Sequence, residues 1–148
     1  VATRRQAELT QVFFYHGASD RIAAACALLS GAYAKKKPML VYALDAELAS
    51  SLDRMLWTHS ALSFVPHCRA DSPLAAETPI LITDKLDTIA QDERMMNLSR
   101  EIPPGFSRFE SLIEVVGLDE DDRSAARDRV KFYKDRGYEV RYFDLGNR

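Results

Sequence analysis

The chain has 148 residues, 47% of them hydrophobic and 28% charged, the size and composition of one ordinary globular domain spanning 1–148, whose core needs neither disulfides nor a structural metal. Twenty Lys and Arg against 22 Asp and Glu leave a net charge of −2, which excludes coating nucleic acid by bulk electrostatics and makes any basic site a local one. No apolar run approaches the roughly 18 residues of a membrane span, and the opening VATRRQAELT lacks a signal-peptide core, so the expected setting is cytoplasmic, away from the membrane.

Gln11 to His16 (QVFFYH) reads as a strand, bounded by Gly17 and followed by Ser19 and Asp20, both good helix N-caps. The helix that follows carries Ile22, Ala23, Cys26, Leu29 and Tyr33 near helical spacing and closes on Lys35, Lys36 and Lys37 before Pro38. A second strand, Met39 to Leu44, leads through the cap Asp45 into a helix with Leu48, Leu52, Leu56 and Trp57. From Thr58 to Thr78 the pattern is irregular and predicts a long loop containing SFVPH at Ser63 to His67. Ile80 to Thr83, Arg94 to Ser99 and Ser111 to Val116 read as further strands, the last two separated by a turn at PPGFSRF. The acidic run Asp119 to Asp122 caps a helix through Arg136, which Gly137 ends in a left-handed conformation before a last strand, Tyr138 to Phe143. Strands alternating with helices imply a three-layer α/β domain with a mostly parallel, Rossmann-like sheet, although its strand order is not legible.

The expected phosphate-binding position, the first strand-to-helix turn, reads HGASD. One glycine, no Lys-Ser or Lys-Thr pair and an aspartate where a phosphate would sit argue against a nucleotide. The three histidines and two cysteines lack metal-ligand spacing, and no cofactor is expected. His67 and Cys68 are adjacent, but neighbours on an extended backbone point apart, so no thiolate–imidazole pair follows. Ser63 lacks the glycine-flanked elbow of hydrolases. No active site is expected.

Two surfaces remain. Trp57 at a helix end, with Phe64, Val65 and Pro66 in the next loop, places aromatic and apolar residues where loops are normally polar, which marks either a partner surface or residues folded back onto the core. Turned at 100° per residue, the last helix gathers Arg123, Arg127, Val130, Lys131 and Lys134 within an arc of about 100°. Ala125, Ala126, Phe132 and Tyr133 are then left to face the sheet, and Arg129 and Arg136 have to snorkel outward from among them. A cationic stripe around an apolar residue suits an acidic peptide with an aromatic, carboxylate end, and equally describes a solvated helix face. The same stripe, Arg123 to Arg136, with Tyr133 or Trp57 as stacking platforms, allows direct binding of single-stranded nucleic acid as an alternative.

The segments FFYH, LDRMLWTHSALSFVPH, PILIT, FSRFESLIEVV and ARDRVKFYKDRGY, in this order along most of the chain, resemble the chi subunit of bacterial DNA polymerase III. The resemblance implies a non-catalytic replisome adaptor with a Rossmann-like fold and two partner surfaces. Phe64, with Trp57, Val65 and Pro66 around it, matches the surface for the psi subunit, through which chi reaches the clamp loader. Val116, Arg123, Arg127, Lys131 and Lys134, with Val130 among them, match the surface for the acidic tail of single-stranded DNA-binding protein, which ends in a Pro-Phe carboxylate; contact with DNA is then indirect. Val130 departs from the family pattern, which carries a tyrosine there.

Overall fold

The computed structural model of the chain describes residues 9–58, 65–75, 78–86 and 91–147. Among these residues seven strands form one sheet: β1 Gln11–Ala18, β2 Met39–Tyr42, β3 His67–Arg69, β4 Ile80–Thr83, β5 Arg94–Asn97, β6 Ser111–Gly117 and β7 Val140–Asp144. Their spatial order is β3-β4-β2-β5-β6-β1-β7 and every pairing is parallel. Three α-helices accompany it among the described residues: α1 Arg21–Ala34, α2 Ala46–Thr58 and α3 Glu120–Asp135.

Alternation along the strands builds the three layers. Phe13 and Tyr15 of β1, Met39 and Val41 of β2, and Ile113 and Val115 of β6 face the core that α1 and α2 cover. Val12 and Phe14, Leu40 and Tyr42, and Leu112 and Val116 face the opposite core, closed by α3 and by Phe106 and Phe109 of the β5–β6 connection. The expected turn in that connection is a single 3-10 turn, Phe106–Arg108.

Caps fall where the sequence places them. Asp20 accepts a hydrogen bond from the Ala23 amide at 3.1 Å, Asp45 from Glu47 at 2.9 Å and Asp119 from Asp122 at 3.2 Å. Gly137 terminates α3 with φ +88°. Three differences stand out. The stretch expected to be one long loop contributes the edge strand β3, too short at three residues to show as an apolar run. Helix α1 ends at Ala34, so the lysines lie beyond it, with Lys36 in a left-handed turn at φ 59°. Strand β1 runs through Gly17 to Ala18 with a register irregularity rather than ending at His16. There Gly17 takes φ +77°, a left-handed conformation that favours glycine, and a Cβ on it would meet Asp144 Oδ1 at 2.8 Å and the Gly146 amide nitrogen at 3.3 Å in the turn that follows β7.

Candidate functional site

The buried stripe of α3 is Asp122, Ala126, Arg129 and Tyr133, spaced i, i+4, i+7 and i+11. This corrects two expectations. Arg129 does not snorkel outward; it is 4% exposed and its Nη2 pairs with Glu114 Oε1 at 3.1 Å. Tyr133 has no surface to offer a nucleobase, being 0% exposed with its hydroxyl donating to Glu114 Oε2 at 2.7 Å. Burial, the Glu114 charge and that hydrogen bond together push the Tyr133 hydroxyl far above the ordinary phenol range. Glu114, on the α3 side of β6, also accepts from Asn97 Nδ2 at 3.0 Å, so this network fixes the rotation of α3 on the sheet. Arg136 does point outward, with its guanidinium 3.6 Å from the Phe132 ring centroid.

With that rotation set, the opposite edge of the helix and strands β1 and β7 border an open pocket of about 340 Å³. Val116, Arg123, Arg127 and Val130, four of the residues singled out from sequence, line it. They are joined by Phe14 and His16 of β1, Ala126 of α3 and Tyr142 of β7. Phe14, Val116 and Ala126 are buried and make an apolar floor, while Arg123 and Arg127 stand exposed at the rim. Arg127 Nη2 is 2.8 Å from Glu120 Oε2, a surface carboxylate on the preceding turns of the same helix. Lys134 approaches through Tyr142, with Nζ 5.3 Å from the ring centroid. Lys131 lies outside the pocket lining and pairs with Asp135 at 2.8 Å, the hydrogen bond raising its pKa.

His16 and Tyr142 escaped the sequence reading because they lie on strands, 100 and more residues from one another, and β1 and β7 become neighbours only in the sheet. The parallel register aligns Phe14 with Tyr142 and puts both rings on the α3 side, 6.4 Å apart.

The crevice between β1 and β6, where α1 and α3 leave to opposite faces, is the usual ligand position in such sheets. Here it is filled by side chains. Arg21 donates to the Val115 and Leu98 carbonyls at 2.8 and 2.7 Å. Asp122 lies 3.7 Å from Arg21 Nε and accepts from Arg100 Nε at 2.6 Å. Burial lowers the Arg21 pKa, and the Asp122 charge opposes it. Among the described residues, no group of three or more His, Cys, Asp or Glu is arranged to hold a metal ion, and no helix is long and apolar enough to cross a membrane.

The second surface lies at the other edge. Trp57 is 59% exposed and its indole meets the His67 ring edge-on at 5.5 Å. His67 Nε2 lies 3.1 Å from Asp53 Oδ1, and Nδ1 is 2.7 Å from the Val65 carbonyl, which joins α2 to β3. Val65 is a core residue at 3% exposure, Pro66 is half-buried, and Phe64 lies outside the described residues. Val65 therefore supports this face from beneath instead of presenting itself on it.

The family model for the DNA polymerase III chi subunit, HolC, matches residues 9–141. The chain is 29% identical over 134 residues to a DNA polymerase III subunit chi of Pseudomonas aeruginosa, covering 88% of this chain and 93% of that protein. It is 27% identical over 124 residues to a DNA polymerase III subunit chi of Haemophilus influenzae, covering 82% and 85% respectively.

Proposed function

Because this chain belongs to the DNA polymerase III chi subunit family, a group of replication accessory subunits, we propose that it is a non-catalytic adaptor that captures the acidic C-terminal tail of single-stranded DNA-binding protein in the pocket beside α3. The observation that carries this reading is the gathering of Val116, Arg123, Arg127 and Val130 around one apolar-floored cavity. Its volume suits one aromatic residue and its terminal carboxylate. The arginines complement that carboxylate and the acidic residues before it, and a guanidinium takes a carboxylate through two parallel hydrogen bonds. Lys131 and Lys134, farther along α3, extend the positive edge toward the upstream acids. Such a contact is weak singly and gains from the several tails of an oligomer.

The Trp57 face is the corresponding surface for the psi subunit, with Pro66 half-buried and Val65 as its support; Phe64 is assigned to it from the sequence alone. It belongs to the β3 edge and the α1–α2 layer, whereas the pocket belongs to the β7 edge and the α3 layer. Six interstrand spacings separate the two edges, roughly 29 Å at about 4.8 Å each. The two partners can therefore be held together without competing for space, as linking the clamp loader to coated single strands requires.

The test is a calorimetric titration with a peptide of the last ten residues of the cognate single-stranded DNA-binding protein, beside the same peptide lacking its final phenylalanine. Binding that disappears with the phenylalanine and weakens with salt is expected. Equal binding of both peptides, or tight binding of a naked oligonucleotide at physiological salt, defeats this reading, the latter in favour of direct nucleic-acid binding.

A further inference from the structure

The pocket has an aromatic wall that comes from outside the helix. Tyr142 is 49% exposed, on the strand that ends the sheet among the described residues. Its ring is nevertheless held in place. Phe14, in register with it on β1, tilts against it at 6.4 Å and 35°, and the Lys134 ammonium stands 5.3 Å from its centroid. On the α3 wall Val130 joins Ala126 as an apolar lining residue and offers a branched aliphatic surface.

From this arrangement we infer that Tyr142 is the aromatic-selecting residue of the pocket: the terminal phenyl ring of the bound peptide stacks on its half-exposed ring while Val130 closes the other side. The inference rests on the tail-binding reading above. Three physical points support it. A ring fixed by a buried neighbour and a cation loses little freedom on binding, so its contact is retained as affinity. Offset aromatic pairs gain energy beyond the area they bury. Lys134, engaged with the ring, keeps a positive charge beside the position of the peptide's upstream acids. Tyr142 thus does two things at once, selecting an aromatic terminus and placing a cation beside it.

The experiment compares the full wild-type chain with Tyr142→Phe and Tyr142→Thr, each titrated with an acidic ten-residue peptide ending in Pro-Phe and with the same peptide ending in Pro-Ala. Wild type and Y142F are expected to prefer the Phe-ended peptide, and Y142T to lose about tenfold of that preference, as truncation of an interface aromatic commonly does. A Y142T preference equal to wild type overturns the inference and leaves tail binding standing. Loss in Y142F equal to that in Y142T overturns the stacking role in favour of the hydroxyl. Wild type that binds neither peptide overturns the tail-binding reading, and this inference with it. Intermolecular NOEs between the peptide phenyl protons and the Tyr142 ring in the saturated wild-type complex are expected, keep the test independent of variant stability, and overturn the inference if they are missing.

Discussion

Arg129 of α3 and Glu114 of β6 form a buried ion pair, Nη2 to Oε1 at 3.1 Å, with the two side chains 4% and 0% exposed. The pair sits between the helix that walls the pocket and the strand that ends at its floor. It decides which residues of α3 face the sheet and, by elimination, which face the pocket. Breaking a buried pair from one side strands a charge in the core, a cost of about 3–5 kcal/mol. Arg129→Met and Glu114→Leu, measured by denaturant unfolding, are each expected to lose about that much. The double variant is expected to lose less than either alone, because it leaves no unpaired charge, although the Tyr133 and Asn97 partners of Glu114 then go unsatisfied.

Arg127 is engaged in the unbound protein by Glu120, at 2.8 Å and largely in solvent. An exposed pair of this kind contributes little to stability, but its carboxylate occupies the guanidinium that a peptide carboxylate needs. Glu120→Gln is expected to tighten tail binding about two- to threefold at low salt, with the gain vanishing at high salt as screening removes the competition. Calorimetry at two ionic strengths checks this; an unchanged affinity at low salt shows that Glu120 does not compete.

Arg127→Ala is expected to weaken tail binding by about 2 kcal/mol, and Arg123→Ala by less, because truncating the clamp leaves a charged partner unpaired. Peptide titrations of the two variants under one buffer decide the order.

Trp57→Ala is expected to leave stability within about 0.5 kcal/mol, as surface substitutions usually do, and to abolish capture of a psi partner while tail-peptide affinity stays at the wild-type value. Loss of both activities together would contradict the separation of the two surfaces across the sheet.

Three acids are kept neutral by the fold. Burial, reinforced by Asp20, pushes the Cys26 thiol up to about 11. Burial with Glu101 and Asp84 raises Tyr42, and Tyr133 is raised as described. For each, the unfolded chain gives up its proton first, so folding stability is fully present below the ordinary pKa and declines as pH rises above about 9 to 10. Urea midpoints at pH 8 and pH 10.5 are expected to show that fall. Accessibility separates the two cysteines: Cys68, half-buried on the β3 edge, is expected to react with a thiol reagent in the native state, and the buried Cys26 only on unfolding; mass spectrometry of the labelled peptides checks this.

Much of this molecule was legible in one dimension. Caps at Asp20, Asp45 and Asp119, the terminator Gly137 and the short runs that mark six of the seven strands depend on near neighbours, so local chemistry determines them, and with them the α/β class. The cationic edge of α3 also follows from helical spacing alone, which is why Arg123, Arg127 and Val130 were found before any fold was known. Resemblance in short blocks along the chain likewise needed no coordinates to point to the chi family.

Tertiary structure decided the rest. Strand order, the pairing of β1 with β7 and the short edge strand β3 depend on contacts between distant residues, which no periodicity encodes. Helical spacing assigns Ala126 and Tyr133 to the buried face of α3 but not Asp122 or Arg129, which are buried there because Arg21, Arg100 and Glu114 meet them from other elements. A carboxylate inside the apolar run SLIEVV was the available signal that a buried cation had to exist. Tyr142 and His16 entered the pocket only when parallel pairing laid the two ends of the chain side by side, since a charge's partner or a pocket's far wall is fixed by through-space contact and not by position along the sequence.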